Sequence, residues 1–208
     1  LWNLCAKNDD IYLDTYSGWY NVREETFVTE TEAAMTDFKD PVSGIPNKQV
    51  EEESYFFKMS KYRDQLIDYI ENENPGFIQP DMHRNFTLQR SKSDEFRVLS
   101  ISRATFDWGI RVPEGFNENH VMYVWMDALS NYLTGVDGLK VNQDAKSEGL
   151  SHLWPANVHI IGKDILWFHT VIWPCLLMSA GVPLPQPLFA HGFVDDKEGK
   201  KTRFVSAI

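Results

Sequence analysis

The apolar rhythm of the chain changes within its first thirty residues. Leu1-Trp-Asn-Leu-Cys-Ala-Lys has the spacing of a short amphipathic helix and lacks the basic character of a targeting leader. From 11 to 30 the pattern turns to short-range alternation around Ser17-Gly18. Ile11, Leu13 and Tyr16 lie before that pair and Trp19, Val22, Phe27 and Val28 after it, which predicts β-like stretches. Pro41, Gly44 and Pro46 mark a turn-rich segment. Ser60 suits the N-cap of a helix that carries Tyr62, Leu66, Tyr69 and Ile70 on one face and stops at Asn74-Pro75-Gly76. Residues 81–90 predict another helix, although 86–97 lose its apolar pattern. Strands are expected over 97–102 and 121–126, and a polar loop over 136–149. A strand–helix unit fills 158–180 and closes at Gly181, and 188–194 reads as the next strand. No internal repeat appears.

Composition narrows the class. A length of 208 residues fits one large or two modest domains, and an apolar fraction of 43% supplies a core. No apolar run reaches the length of a membrane span. Cys5 and Cys175 are far apart and sit in apolar helical contexts, so buried free thiols in a reducing compartment are expected. The formal charge of −10 argues against a main nucleic-acid surface, because neutralising phosphates needs clustered Lys and Arg.

The densest chemistry lies at Val158-His-Ile-Ile-Gly-Lys-Asp-Ile-Leu-Trp-Phe-His-Thr. A strand that ends in Gly162 and opens a helix with Asp164 in its first turn is the place where open α/β folds take ligands. Glycine permits close backbone approach, and a carboxylate accepts hydrogen bonds from sugar hydroxyls. The bland alternative is helix capping, in which Asp164 contributes about 0.5 kcal/mol against the dipole. Ile165 and His169 share a helical face. Upstream, Trp125, Ala128, Leu129 and Tyr132 fall at i, i+3, i+4 and i+7, and a helix would present them together; seen alone, such a stripe is core packing. No Gly-x-Gly-x-x-Gly follows a strand, which argues against a dinucleotide-dependent oxidoreductase.

Six ordered blocks resemble the methionyl-tRNA synthetase family. They are Gly18-Trp-Tyr-Asn-Val-Arg-Glu-Glu-Thr-Phe, Val50-Glu-Glu-Glu-Ser-Tyr-Phe-Phe-Lys-Met-Ser-Lys-Tyr, Leu99-Ser-Ile-Ser-Arg-Ala-Thr-Phe-Asp-Trp-Gly-Ile, Tyr123-Val-Trp-Met-Asp-Ala-Leu-Ser-Asn-Tyr-Leu-Thr-Gly, the Gly-Lys-Asp block and Phe189-Ala-His-Gly-Phe. The resemblance implies an α/β fold. Residues 1–100 correspond to an α+β connective insertion, and 101–208 to the C-terminal half of a Rossmann-type parallel-sheet core. It implies a class I enzyme that joins methionine to tRNA through methionyl-adenylate, in the cytoplasm or alternatively the mitochondrial matrix. Its substrates are methionine, ATP (with Mg²⁺) and tRNA, the last bound mainly outside these residues.

By the same resemblance, Trp125, Ala128, Leu129, Tyr132, Ile165 and His169 form the methionine side. Gly162, Asp164, His191, Gly192, Val194 and Arg103 border ATP; for Arg103 a structural salt bridge competes. Asn21-Val-Arg-Glu and Asp40-Pro-Val-Ser stand where many relatives carry zinc-binding cysteine pairs, so no structural zinc is expected. The His-Ile-Gly-His-type phosphate motif has no equivalent, and the Lys-Met-Ser-Lys-Ser loop matches only at Lys201. These residues alone are therefore expected to be inactive. The rival expectations are another class I ligase for an apolar amino acid, or a non-catalytic module that keeps the fold.

Overall fold

The computed structural model describes residues 1–21, 26–28, 30–41, 43–94, 96–105, 107–136 and 150–193. In chain order its first regular elements are α1 (Trp2–Lys7), β1 (Ile11–Asn21), β2 (Thr26–Val28), α2 (Glu30–Met35), β3 (Lys48–Phe57), α3 (Arg63–Asp68), β4 (Ile78–Gln79) and α4 (Asp81–Ser91). There follow β5 (Leu99–Ser100), β6 (Ser102–Arg103), β7 (Val121–Met122), α5 (Val124–Thr134), β8 (His159–Gly162), α6 (Trp173–Ala180) and β9 (Leu188–His191). Packing groups these into two compact units. One holds Leu1–Asp10, Lys58–Val98 and Ala128–Ile208; the other holds Ile11–Phe57 and Leu99–Asp127. This grouping is not sequential, so it cuts the chain differently from a division at residue 100. Hydrogen bonding explains why: β5 pairs with β3, which brings 99–127 back beside the strands of 11–57.

The second unit is built on an antiparallel sheet in the order β2-β1-β3-β5. The alternation of 11–30 resolves into one long strand, β1, which pairs with β3 from Ile11↔Phe57 to Tyr20↔Lys48. The run Glu51-Glu-Glu hides β3 from a reading by hydropathy. Glu52 is nevertheless buried, and its Oε1 accepts hydrogen bonds from the Ala104 and Thr105 backbone N–H groups and the Thr105 hydroxyl at 3.1–3.3 Å. The strand expected over 121–126 is shorter than that. β7 ends at Met122 and α5 begins at Val124, because Met126, Leu129 and Leu133 bury at helical spacing.

The other unit carries a parallel sheet in the order β4-β9-β8, with helices packed on it, which is the expected α/β architecture. The helical run near Ser60 forms, but Ser60 does not cap it: residues Met59–Tyr62 make a 3-10 turn and α3 starts at Arg63. Tyr62, Leu66 and Ile70 are buried as the periodicity requires, and the run ends at Asn74. α4 continues to Ser91 despite its weak apolar pattern. β9 covers 188–191, and Val194 lies outside the described residues, as does Lys201. Cys5 and Cys175 are buried free thiols. Among the described residues, no helix is long and apolar enough to cross a membrane.

Candidate active site

Strand alternation in β8 turns His159 and Ile161 inward and Ile160 outward, and delivers Gly162 to the C-terminal end of the parallel sheet. Register sets Gly162 beside His191 on β9, so two of the expected nucleotide-side residues are neighbours at that edge. Gly162 has ordinary extended dihedrals, φ −71° and ψ 146°, so backbone freedom is not the reason for glycine. A Cβ there would meet only Asp164 Oδ1, at 2.5 Å, the movable end of an exposed side chain on the 3-10 turn Lys163–Ile165. His191 and Gly192 are exposed.

The chain then passes through a π-helical turn, Phe168–Ile172, into α6. Pro174 lies in the first turn of α6, where its missing N–H interrupts the preceding i→i−4 ladder, and the wider turn falls just before it. This turn holds His169 inward. His169 Nδ1 lies 3.0 Å from the Ile165 carbonyl and Nε2 lies 2.9 Å from Tyr132 Oη. Gly181, at φ +66°, ends α6 in the left-handed conformation, with its N–H bonded to the Met178 carbonyl.

Of the expected methionine-side set, the structure joins Tyr132, Ile165 and His169. On α5, Leu129 is buried, Ala128 is exposed and Tyr132 is half-buried. Trp125, also half-buried, belongs to the other compact unit, as does Arg103. Arg103 is buried over the Tyr123 ring at 4.5 Å and donates to Ser100 Oγ at 2.6 Å and the Ser102 carbonyl at 2.8 Å. It lines a cavity of about 790 Å³ together with Trp108, Tyr123 and Asp127. A second cavity in that unit, about 860 Å³, is lined by Glu53, Asp107, Arg111 and His120. Neither is lined by Tyr132 or His169.

Residues that hydropathy did not single out complete the surroundings of Tyr132. The His159 ring packs T-shaped against it at 4.8 Å, and Trp173 lies tilted at 6.2 Å. Trp154 packs on both His159 and Trp173, and its Nε1 donates to the Pro183 carbonyl. Burial pushes the Tyr132 phenol up and the His169 imidazole down, the latter partly offset by the bond to Ile165. Burial, and then the nearby His169, push His159 down to about 4. At neutral pH the cluster is therefore uncharged. The i, i+4 pair Ile165/His169 was visible in sequence, whereas nothing there singled out His159.

Elsewhere, Ser102 Oγ meets His120 Nδ1 at 2.9 Å and His120 Nε2 meets Glu53 Oε1 at 3.2 Å, the residue types of a hydrolytic triad. Ser102 and His120 are 0% exposed, so no substrate reaches the hydroxyl, and the array is structural.

An uncharged aromatic–histidine cluster beside a glycine and a carboxylate at a parallel-sheet edge suits an apolar ligand joined to a nucleotide. The model of the family tRNA synthetases class I (M) matches residues 31–204. The chain belongs to this family. It is 46% identical over 205 residues to the methionine–tRNA ligase of Bacillus subtilis (strain 168), across 94% of this chain and 30% of that relative. It is 48% identical over 210 residues to the corresponding ligase of Brucella suis biovar 1 (strain 1330), across 100% of this chain and 39% of that relative. Among solved structures, Mycobacterium tuberculosis methionyl-tRNA synthetase bound by methionyl-adenylate matches with a TM-score of 0.81 at 45% identity, over 100% of this chain and 39% of that one. The chain thus spans well under half the length of the curated relatives it matches. Membership of this synthetase family bears out the resemblance and the Rossmann-type α/β class read from sequence.

Proposed function

We propose that this chain carries methionine-side and ribose-side residues of a methionine–tRNA ligase, which activates methionine with ATP to methionyl-adenylate and transfers it to tRNA. The observation that carries the reading is the Tyr132–His169 pair tied to the Ile165 carbonyl. A carbonyl only accepts, so His169 Nδ1 holds the proton and Nε2 of the neutral ring is an acceptor. The Tyr132 hydroxyl must then donate to it. The pair's protons are committed internally, and an incoming side chain meets polarisable rings and no counter-charge. A thioether suits that environment, since sulfur–aromatic contacts contribute about 0.3–1.5 kcal/mol each. A charged side chain would be desolvated with no partner.

The reaction asks for positioning rather than proton transfer. The methionine carboxylate, already an anion, attacks the α-phosphorus of ATP in line, the bond to the bridging oxygen breaks, and pyrophosphate leaves. No general base is required. On the nucleotide side, the Asp164 carboxylate accepts from ribose hydroxyls over Gly162, and His191 and Gly192 border the base. Val194, Arg103 and, on the phosphates, Lys201 complete this assignment by family resemblance. Mg²⁺ is assigned to the ATP phosphates by the family resemblance. tRNA is assigned mainly to surfaces outside these residues, in keeping with the charge of −10. Residues 1–100 are assigned to the connective insertion. A cytoplasmic site of action, or the mitochondrial matrix, goes with this reading.

The test is methionine-dependent ATP–pyrophosphate exchange by the intact protein that carries this chain. Tyr132→Phe leaves His169 Nε2 without its donor and is expected to raise the methionine KM about 10-fold, the scale of one buried hydrogen bond, with the ATP KM unchanged. Proportional changes in both constants, or exchange driven by leucine as well as by methionine, would overturn the assignment.

A further inference from the structure

His159 presents a physical puzzle. It is 5% exposed, and neither Nδ1 nor Nε2 has a hydrogen-bond partner. A buried polar ring without partners is costly, and an apolar residue of similar size would avoid the cost. Trp173 Nε1 shares the condition, whereas the Tyr132 hydroxyl, both nitrogens of His169 and Trp154 Nε1 are all bonded. The neighbours of His159 are rings: Tyr132 at 4.8 Å and 78°, Trp154 at 6.0 Å and 82°, and His169 at 6.5 Å and 56°. T-shaped packing joins the positive edge of one ring to the negative face of another. An imidazole N–H makes a more positive edge than a C–H, which gives a reason for histidine at a place with no conventional acceptor.

We infer that His159 is a positioning residue for Tyr132: its imidazole, seated against the phenol ring, holds the hydroxyl on His169 Nε2 and thereby shapes the methionine side of the site. This rests on the proposed reading of Tyr132 and His169. The route is continuous on the page. β8 fixes the backbone of His159, His159 packs on the ring of Tyr132, and the Tyr132 hydroxyl is bonded to the histidine that Ile165 orients. His159 touches no reacting atom. Burial keeps it neutral, so it contributes shape and a ring edge rather than charge.

The experiment is a double-mutant cycle in the intact protein, read by methionine-dependent pyrophosphate exchange. His159→Phe retains a flat ring with C–H edges only, and His159→Leu removes the ring. Each is expected to raise the methionine KM roughly 2- to 10-fold, the scale of one aromatic contact, with Leu at least as severe as Phe and the ATP KM constant. Combined with Tyr132→Phe, neither should add a further effect, since the hydroxyl they position is gone. The ¹⁵N signal of His169 Nε2 should also move in His159→Phe toward that of an unbonded nitrogen. Additive effects in the cycle, an ATP KM that rises in step, or an unmoved His169 signal would each overturn the inference. Exchange that does not depend on methionine in the unsubstituted protein would instead remove the functional reading, and the His169 signal would still judge the positioning role.

Discussion

At the scale of single residues, Asp10 shows how a buried charge is made tolerable. It is fully buried; its Oδ1 accepts from Lys61 Nζ at 2.6 Å, and its Oδ2 accepts from the Tyr62 hydroxyl and, at 2.7 Å, from the Ser179 hydroxyl. Burial alone would push this carboxyl up, but the bonds from Lys61, Tyr62 and Ser179 outweigh it, and its pKa lies below the ordinary 3.8. A depressed folded pKa means that the unfolded chain binds the proton more readily. The stabilisation is therefore present above about pH 3.8 and is lost as pH falls through the folded value. Asp10→Asn should cost roughly 2 kcal/mol at neutral pH and flatten the acid limb of the stability curve. Denaturant unfolding at several pH values checks it, and an unchanged acid limb would assign that limb to other carboxylates. None of this was legible in sequence, where Asp9-Asp10 reads as a polar helix end. The partners are Lys61 and Tyr62 in one turn and Ser179 in another helix, distances that no local pattern encodes. His159 is a similar case: its inward place on β8 and its ring partners both emerge only in the structure.

At the scale of elements, periodicity located what local physics controls. The 158–180 unit and its glycine stop lie where the pattern put them, because burial period and left-handed capping are local signals. β3 and α2 escaped, since Glu51-Glu-Glu and Glu30-Thr-Glu look like solvated charge runs until the long partner strand β1 is in place. The turn-rich segment around Pro41 gained a specific structure. Asn21 Nδ2 donates to Asp40 Oδ2 at 2.8 Å, and Asp40 Oδ1 accepts from the Ser43 backbone N–H at 2.5 Å and its hydroxyl at 2.7 Å. Asn21 and Asp40 are both buried. By the resemblance these residues correspond to zinc-binding cysteine pairs of many relatives; here hydrogen bonds tie the two arms of the segment together. We expect that a strong chelator leaves the melting temperature unchanged. We also expect Asp40→Ala to cost about 2–3 kcal/mol by removing the acceptor shared by the Asn21 amide and the Ser43 N–H and hydroxyl. A chelator-induced loss of stability, or zinc found by elemental analysis in proportion to protein, would refute the metal-free account.

At the scale of the molecule, the parallel sheet is the feature with the widest consequence. Its inward positions, Ile78, His159, Ile161, Leu188 and Ala190, are buried, as both the fold and the site require. Two of its outward positions are apolar as well, beside the polar Gln79 and His191: Ile160 is 69% exposed and Phe189 45%, and register pairs the two side by side. Parallel sheets are normally covered on both faces, and their strands read as continuous apolar runs for that reason. That is how Val158-His-Ile-Ile and Leu188-Phe-Ala look in sequence, although the alternation of burial became visible only in the structure. Among the described residues β8 is moreover an outer strand, with one ladder partner in the order β4-β9-β8. An apolar face beside an outer strand favours association. Residues 1–208 produced alone should therefore self-associate with rising concentration in sedimentation velocity. Ile160→Lys combined with Phe189→Lys should shift the distribution to monomer at little cost in stability, because neither side chain is buried. A monomeric unsubstituted chain at high concentration, or association unaffected by the double substitution, would mean that this face is not the adhesive one.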